Sequence, residues 1–144
     1  MSEGLPESPH RLVNPDGLPP PVGYAHAAVA EGGRSVFLGG QAGHRADGTL
    51  PEGLVEQFDQ ACANVAEALR AAGGSPEHLV SLQIFATDLE AYRAALPDLG
   101  RAYRRHFGKH YPAISLLGTT GLMDAAARVE LVGVAVIPDT ARGR

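Results

Sequence analysis

Apolar residues recur at steps of three and four after Gly53, at Val55, Phe58, Cys62, Val65 and Leu69, while Glu56, Asp59, Gln60, Asn64, Glu67 and Arg70 fall mainly between them. That spacing predicts an amphipathic helix with one buried stripe. Gly73-Gly74 ends it, because glycine accepts the left-handed backbone of a helix C-terminus without a Cβ clash. The period then changes to two. Residues 78–87 place Val80, Leu82, Ile84 and Ala86 on one side and predict a strand. Residues 89–105 return to the helical pattern, but Pro97 lacks a backbone donor and crowds the preceding turn, so this helix is expected in two pieces.

Breakers dominate the start of the chain. Pro6, Pro9, Pro15, Asp16 and Gly17 interrupt any period, so residues 1–18 read as an irregular arm leading into Pro19-Pro20-Pro21. Residues 24–30 and 34–39 read as two strands joined through Glu31-Gly32-Gly33 into a hairpin, and residues 112–117 and 127–137 as two further strands. The order ββ, α, β, α, ββ predicts an α+β fold: a mostly antiparallel sheet with both helices on one face. Residues 19–138 are expected to form one domain and residues 139–144 a tail. The last strand is apolar both ways, with Val129, Leu131, Gly133 and Ala135 on one face and Val132, Val134 and Val136 on the other. Two helices cannot cover both faces, so a second copy of the chain is the expected cover and a homo-oligomer follows.

Composition narrows the class. The 144 residues are 44% hydrophobic and 19% charged, and the 18 glycines and 11 prolines stay below the share of a disordered chain. One globular unit is expected. No apolar run approaches the roughly 20 residues of a membrane span, and the polar start lacks the blocks of a signal peptide, which points to the cytoplasm. A net charge of −4 offers no broad basic field, so nucleic acid is not an expected partner. Cys62 is the single cysteine, which excludes an internal disulfide and a cysteine-based zinc site.

Few residues suggest chemistry. Glu130 stands where strand packing favours an aliphatic side chain, and burying it unpaired would be costly. It is either paired with Arg128, two residues earlier on the same face, or held in a partly desolvated cleft for acid–base work. Gly39, Gly40 and Gln41 end a strand with two glycines, which allows close approach of a ligand and exposes amide donors; a plain turn is the alternative. Ser115 lacks a nucleophile-elbow context and reads as a hydrogen-bonding wall residue. Tyr24 is either a capping aromatic or a ligand wall. Cys62 lies on the helix stripe and reads as core. Arg101, Arg104, Arg105, His106 and Lys109 complement the negative end of a helix, with a phosphate or RNA site as the alternative. His106 and His110 stand four apart, but Gly108 is expected to end the helix between them and no third ligand is near, so no metal site is expected.

Taken together, Asn14-Pro15, Gly23-Tyr24-Ala25-His26-Ala27, Val36-Phe37-Leu38-Gly39-Gly40-Gln41, Phe85-Ala86-Thr87-Asp88-Leu89, Pro112-Ala113 and Val129-Glu130-Leu131 resemble the RidA (YjgF-like) family in order and spacing, from about Val13 to Pro138. The resemblance implies a chorismate-mutase-like fold, a homotrimer, and small-molecule clefts between subunits. It implies an enamine/imine deaminase-type hydrolase that needs no metal or organic cofactor: water attacks the imine carbon of a 2-imino acid such as 2-iminopropionate, releasing ammonia and a 2-keto acid. By the same resemblance Glu130 orients that water, the carbonyl near Leu116 shares it, Tyr24 walls the cleft, and Gly39, Gly40 and Gln41 turn amides to the ligand. Ile114 stands where the family carries an arginine for the substrate carboxylate. Loss of such a charge-assisted contact, worth about 1.5–3 kcal/mol, implies a job other than general 2-imino acid deamination. Two other readings stand beside it: a non-catalytic, chaperone-like binder, and a ribonuclease, which the acidic balance disfavours.

Overall fold

The computed structural model describes residues 6–139, which run in the order β1 (Arg11–Val13), β2 (Ala27–Val29), β3 (Arg34–Phe37), α1 (Leu54–Ala71), β4 (Leu79–Ala86), α2 (Leu89–Ala94), α3 (Leu96–Phe107), β5 (Ala113–Gly118) and β6 (Val129–Ile137). The tail expected at 139–144 lies, beyond Asp139, outside the described residues, as do residues 1–5 of the expected arm. Four strands form the main sheet in the order β3-β6-β4-β5. β6 runs antiparallel to both its neighbours, and only the β4-β5 pairing is parallel. Both helical segments cover one face, which gives the α+β layer that the pattern predicts.

The helix stripe packs as its period dictates. Phe58, Ala61, Cys62, Val65 and Leu69 are each at most 1% exposed, and burial pushes the Cys62 thiol well above its ordinary range. Gly73 takes φ +94° just past α1, and the Gly74 N–H donates back to the Leu69 carbonyl at 2.8 Å. The second helix is divided at Ala95, and Pro97 falls in the first turn of α3, where its missing N–H has no helical partner to lose. Along β6 the odd positions from Val129 to Ile137 are buried beneath the helices, while Glu130, Val132, Val134 and Val136 face the other way. Register adds Phe37, opposite Val134, to that second face. Phe37 is 78% exposed, and no helix among the described residues covers this side.

Two pairings differ from the sequence expectation. Strands β2 and β3 do not form a hairpin, since β2 pairs with β1 and β3 pairs with β6. The expected irregular arm therefore contains a strand. Gly32 and Gly33, at φ +63° and +115°, turn the chain between sheets, and a Cβ on Gly33 would meet the Ile137 backbone. The arm is also held by His10, whose Nε2–H donates to the carbonyls of Val136 at 2.8 Å and His78 at 3.2 Å. A partner brought by tertiary contacts overrode the local breakers.

His110, buried behind β4, donates from Nε2 to the Leu79 carbonyl at 2.8 Å, and its own carbonyl accepts from the Tyr103 hydroxyl at 2.7 Å. Burial lowers the pKa of His110 and of His78 below the ordinary 6.5, so both favour the neutral form in the fold. The unfolded chain then takes up protons first as pH drops. These histidines contribute stability that is complete above about pH 6.5 and is lost as pH falls through their folded values. Urea unfolding at pH 7.5 and pH 5 is expected to show that loss, and His110→Gln is expected to lower stability at pH 7.5 while flattening the slope. An unchanged slope would remove His110 from the transition.

Candidate functional site

The two glycines after β3 make a bulge. Leu38 donates to the Gly133 carbonyl at 3.0 Å, yet the next bridge to β6 joins Gln41 to Leu131, so one residue of the Gly39-Gly40 pair is extra. Among the described residues no hydrogen bond engages the N–H of Gly39 or Gly40, and both residues are exposed. Gln41 itself is fixed by two backbone bonds to Leu131, at 2.8 and 2.9 Å, and its side-chain amide reaches the Gly39 carbonyl at 3.4 Å.

Glu130 lies beside this bulge on the uncovered face of β6. A Cβ on Gly40 would sit 2.9 Å from the Glu130 carboxyl carbon and 3.3 Å from its Cγ, so the carboxylate occupies the space a side chain would take. Gly40 has no positive φ. It is glycine for room. Among the described residues no ion pair or hydrogen bond holds the Glu130 carboxylate. The pairing with Arg128 weighed in the sequence does not form, because Arg128 precedes the strand and turns to a separate groove with Gln57, Thr87 and Asp88. The arrangement is an unpaired carboxylate next to two free amides, able to move a proton at one point and donate hydrogen bonds at another.

The remaining sequence-predicted residues divide between the two faces of the sheet. Tyr24, Ile114 and Leu116 line a cavity of about 670 Å³ on the helix side, bounded by α2, α3 and the outer strand β5. Ser115 follows the opposite alternation, in register with Gln83 and Val132, and therefore shares the uncovered face with Glu130. Tyr24 is held at the sheet edge because Ala25 donates to the Pro112 carbonyl at 2.9 Å, and its ring meets His26 edge-on at 5.2 Å. Thr119 donates to Ala86, toward β4, so strand alternation turns the Leu116 carbonyl to the open edge. From β6 to β5 is two strand spacings, about 10 Å. One chain thus carries two groups, Glu130 with the glycine bulge, and Tyr24 with Ile114 and Leu116, and does not bring them into one pocket.

Residues that the sequence reading passed over hold these parts in place. Gln57 is 1% exposed, donates to the carbonyls of Pro51 and Ala126, and accepts from the Arg128 N–H at 2.7 Å. Asn64, two turns on, donates to the carbonyls of Ala42 and His44. The only available signal was a seven-residue spacing of two amides on one helix. The basic end of α3 is mostly spent on acids. Arg105 and His106 both reach Asp59 at 2.9 Å, and Arg101 pairs with Asp98. Burial works to raise the Asp59 carboxyl, but hydrogen bonds from His106 and Arg105 outweigh it and hold its pKa low. His106 and His110 do not converge.

A family model described as Endoribonuclease L-PSP matches residues 16–137. The goat protein 2-iminobutanoate/2-iminopropanoate deaminase is 29% identical over 129 residues, covering 88% of this chain and 89% of its own. A RutC family protein of Aquifex aeolicus is 32% identical over 128 residues, covering 86% and 98%. Among solved structures, the conserved Rid protein family member YyfB from Yersinia pestis superposes with a TM-score of 0.80 at 28% identity, covering 89% of this chain and 98% of that one.

Two glycines separate space from stability. A Cβ on Gly43 would press on the α1 backbone, 2.7 Å from the Gln57 Cα, whereas one on Gly40 meets only a flexible carboxylate. Thermal melts are expected to show Gly43→Ala losing about 1–3 kcal/mol and Gly40→Ala less than about 1 kcal/mol. The reverse order would mean that Glu130 is rigidly packed.

Proposed function

The chain belongs to the Endoribonuclease L-PSP family, which takes in the RidA (YjgF-like) proteins, and on that premise we propose that it hydrolyses an imine, enamine or related electrophile in a cleft between copies of itself. The observation that carries this reading is the unpaired Glu130 carboxylate lying over Gly40 beside two free amides. Water attacks the imine carbon, the C=N π pair moves to nitrogen, and Glu130 passes a proton from the water to that nitrogen. Glu130 then takes the remaining hydroxyl proton and returns it to nitrogen as the O–H pair forms the C=O bond and the C–N pair leaves on nitrogen, so ammonia departs and a carbonyl remains. The Gly39 and Gly40 amides hold the ligand, and the carbonyl of Leu116 from a neighbouring copy shares the water.

A homotrimer is the proposed assembly. Its support is the uncovered face of Phe37, Val132, Val134 and Val136, together with the open edge of β5 and a site whose two groups lie on different sides of one sheet. No helix among the described residues is long and apolar enough to cross a membrane, and the cytoplasm is the compartment we propose. A ribonuclease reading takes support from the family's name, but the net charge of −4 and the acid-paired end of α3 oppose it. A non-catalytic binder takes support from Ile114, an apolar side chain where the family resemblance implies a substrate-gripping arginine.

Ammonia release above spontaneous hydrolysis, from imines with and without a carboxylate, tests the reading. Glu130→Gln is expected to lower kcat about a hundredfold or more, with little change in melting temperature, and Gly40→Ala is expected to slow turnover by displacing the same carboxylate. Equal rates for wild type and Glu130→Gln would remove Glu130 from the chemistry, and ligand-induced stabilisation without ammonia would favour the binder. Solution scattering is expected to give about three times the 15.0 kDa chain mass, and Phe37→Glu is expected to dissociate the assembly and abolish turnover. A single active copy would overturn the shared cleft.

A further inference from the structure

The cavity behind β5 has a composition that the catalytic reading does not use. Its wall is aromatic and aliphatic, with Tyr24, Tyr92, Tyr103, Tyr111 and Ile114 among the residues facing about 670 Å³ of space, a size suited to a small organic ligand. Two polar features interrupt it. Arg104 lines the cavity from α3, and its guanidinium lies across Gly100, where an added Cβ would meet Nη1 at 3.2 Å. Unlike Arg101, Arg105 and His106 on the same helix, Arg104 has no acidic partner among the described residues. Tyr92 is 6% exposed and its hydroxyl makes no hydrogen bond there, yet no sealed polar atom is left unpartnered, so that hydroxyl opens on unfilled space. Burial pushes its pKa up to about 12, so it remains a neutral donor at physiological pH.

We propose that this cavity selects ligands that join an aromatic or branched apolar body to a carboxylate, with Arg104 meeting the carboxylate and Tyr92 donating beside it. The inference rests on the hydrolase reading for the reacting group and adds the class of substrate: imines derived from bulky, apolar amino acids rather than from small ones. The carboxylate grip is thereby supplied from a helix instead of from position 114. A deep apolar wall makes an aromatic ring the favoured occupant, while an unpaired guanidinium disfavours an uncharged one.

Calorimetric binding to the full-length protein tests this without turnover, using phenylpyruvate, pyruvate and uncharged phenylacetone as stable carbonyl probes. Phenylpyruvate is expected to bind at least tenfold more tightly than pyruvate. Arg104→Gln is expected to weaken phenylpyruvate by about ten- to a hundredfold and leave phenylacetone unchanged, with Arg104→Lys recovering part of the loss. Equal affinity for phenylpyruvate and pyruvate would overturn the proposal, and so would a parallel loss of both aromatic probes in Arg104→Gln, which marks a structural role. Absence of phenylpyruvate binding, as when a neighbouring copy fills the cavity, would also overturn it. Tight phenylpyruvate binding with no imine hydrolysis would sink the catalytic reading alone, and hydrolysis without preference for bulky substrates would sink this one alone.

Discussion

A sheet strand that is apolar on both faces has to be covered on both, and among the described residues there are helices for only one. Along β6 the helix-side residues are sealed, while Val132, Val134 and Val136 share the open side with a phenylalanine that is 78% exposed. Each such side chain, taken out of water, contributes about 1.5–3 kcal/mol. The open row therefore favours self-association, set against the cost of bringing copies together. Glu130 stands on the same row as these valines. Whatever covers them also encloses the carboxylate, so assembly and the environment of Glu130 are a single physical problem.

The parts of the fold legible in the sequence are those whose signal is local. The stripe from Val55 to Leu69, its glycine stop and a break in the second helix, which falls at Ala95 just ahead of Pro97, all follow from periodicity and backbone chemistry within a few residues, and the structure shows each of them. The arm and the first strands were not legible in the same way. Arg11–Val13 has too few residues to declare a period, and it becomes a strand because Ala27–Val29 lies alongside and His10 is anchored to two distant carbonyls. Pairing partners 14 to 18 residues apart leave no mark on either segment. The clamp at Gln57 was hidden for a related reason: its three partners, Pro51, Ala126 and Arg128, come from two loops that meet only in the fold.

For the site, residue types were legible and their grouping was not. Ile114, Ser115 and Leu116 are consecutive in a strand, so their side chains cannot all face one cleft. The register sends Ser115 to the side of Glu130 and the other two to the helical layer. A contiguous motif in a strand thus serves two surfaces, one through side chains and one through the backbone, as the outward carbonyl of Leu116 illustrates. The bulge at Gly39-Gly40 works by omission in the same way. Its extra residue breaks the ladder, which frees amides, and its missing side chain gives the carboxylate a seat.

A cation on strand β5 and a cation on helix α3 are not equivalent, even if both can reach one ligand. An arginine at position 114 would have to place its charge in a layer where Ile114 now packs against the core, and burying it there without a partner is costly. An isoleucine in that place lengthens the apolar wall instead. Arg104 instead brings its charge to the cavity wall from α3, lying over Gly100, which makes room for it. The consequence is a change in what the pocket measures. With the cation deep, a ligand is held by its carboxylate and the rest of it matters little. On the proposed reading, with the cation on α3 beside a wall of rings, the carboxylate orients the ligand and the energy comes from the apolar surface that enters the cavity, so selection passes from charge to shape.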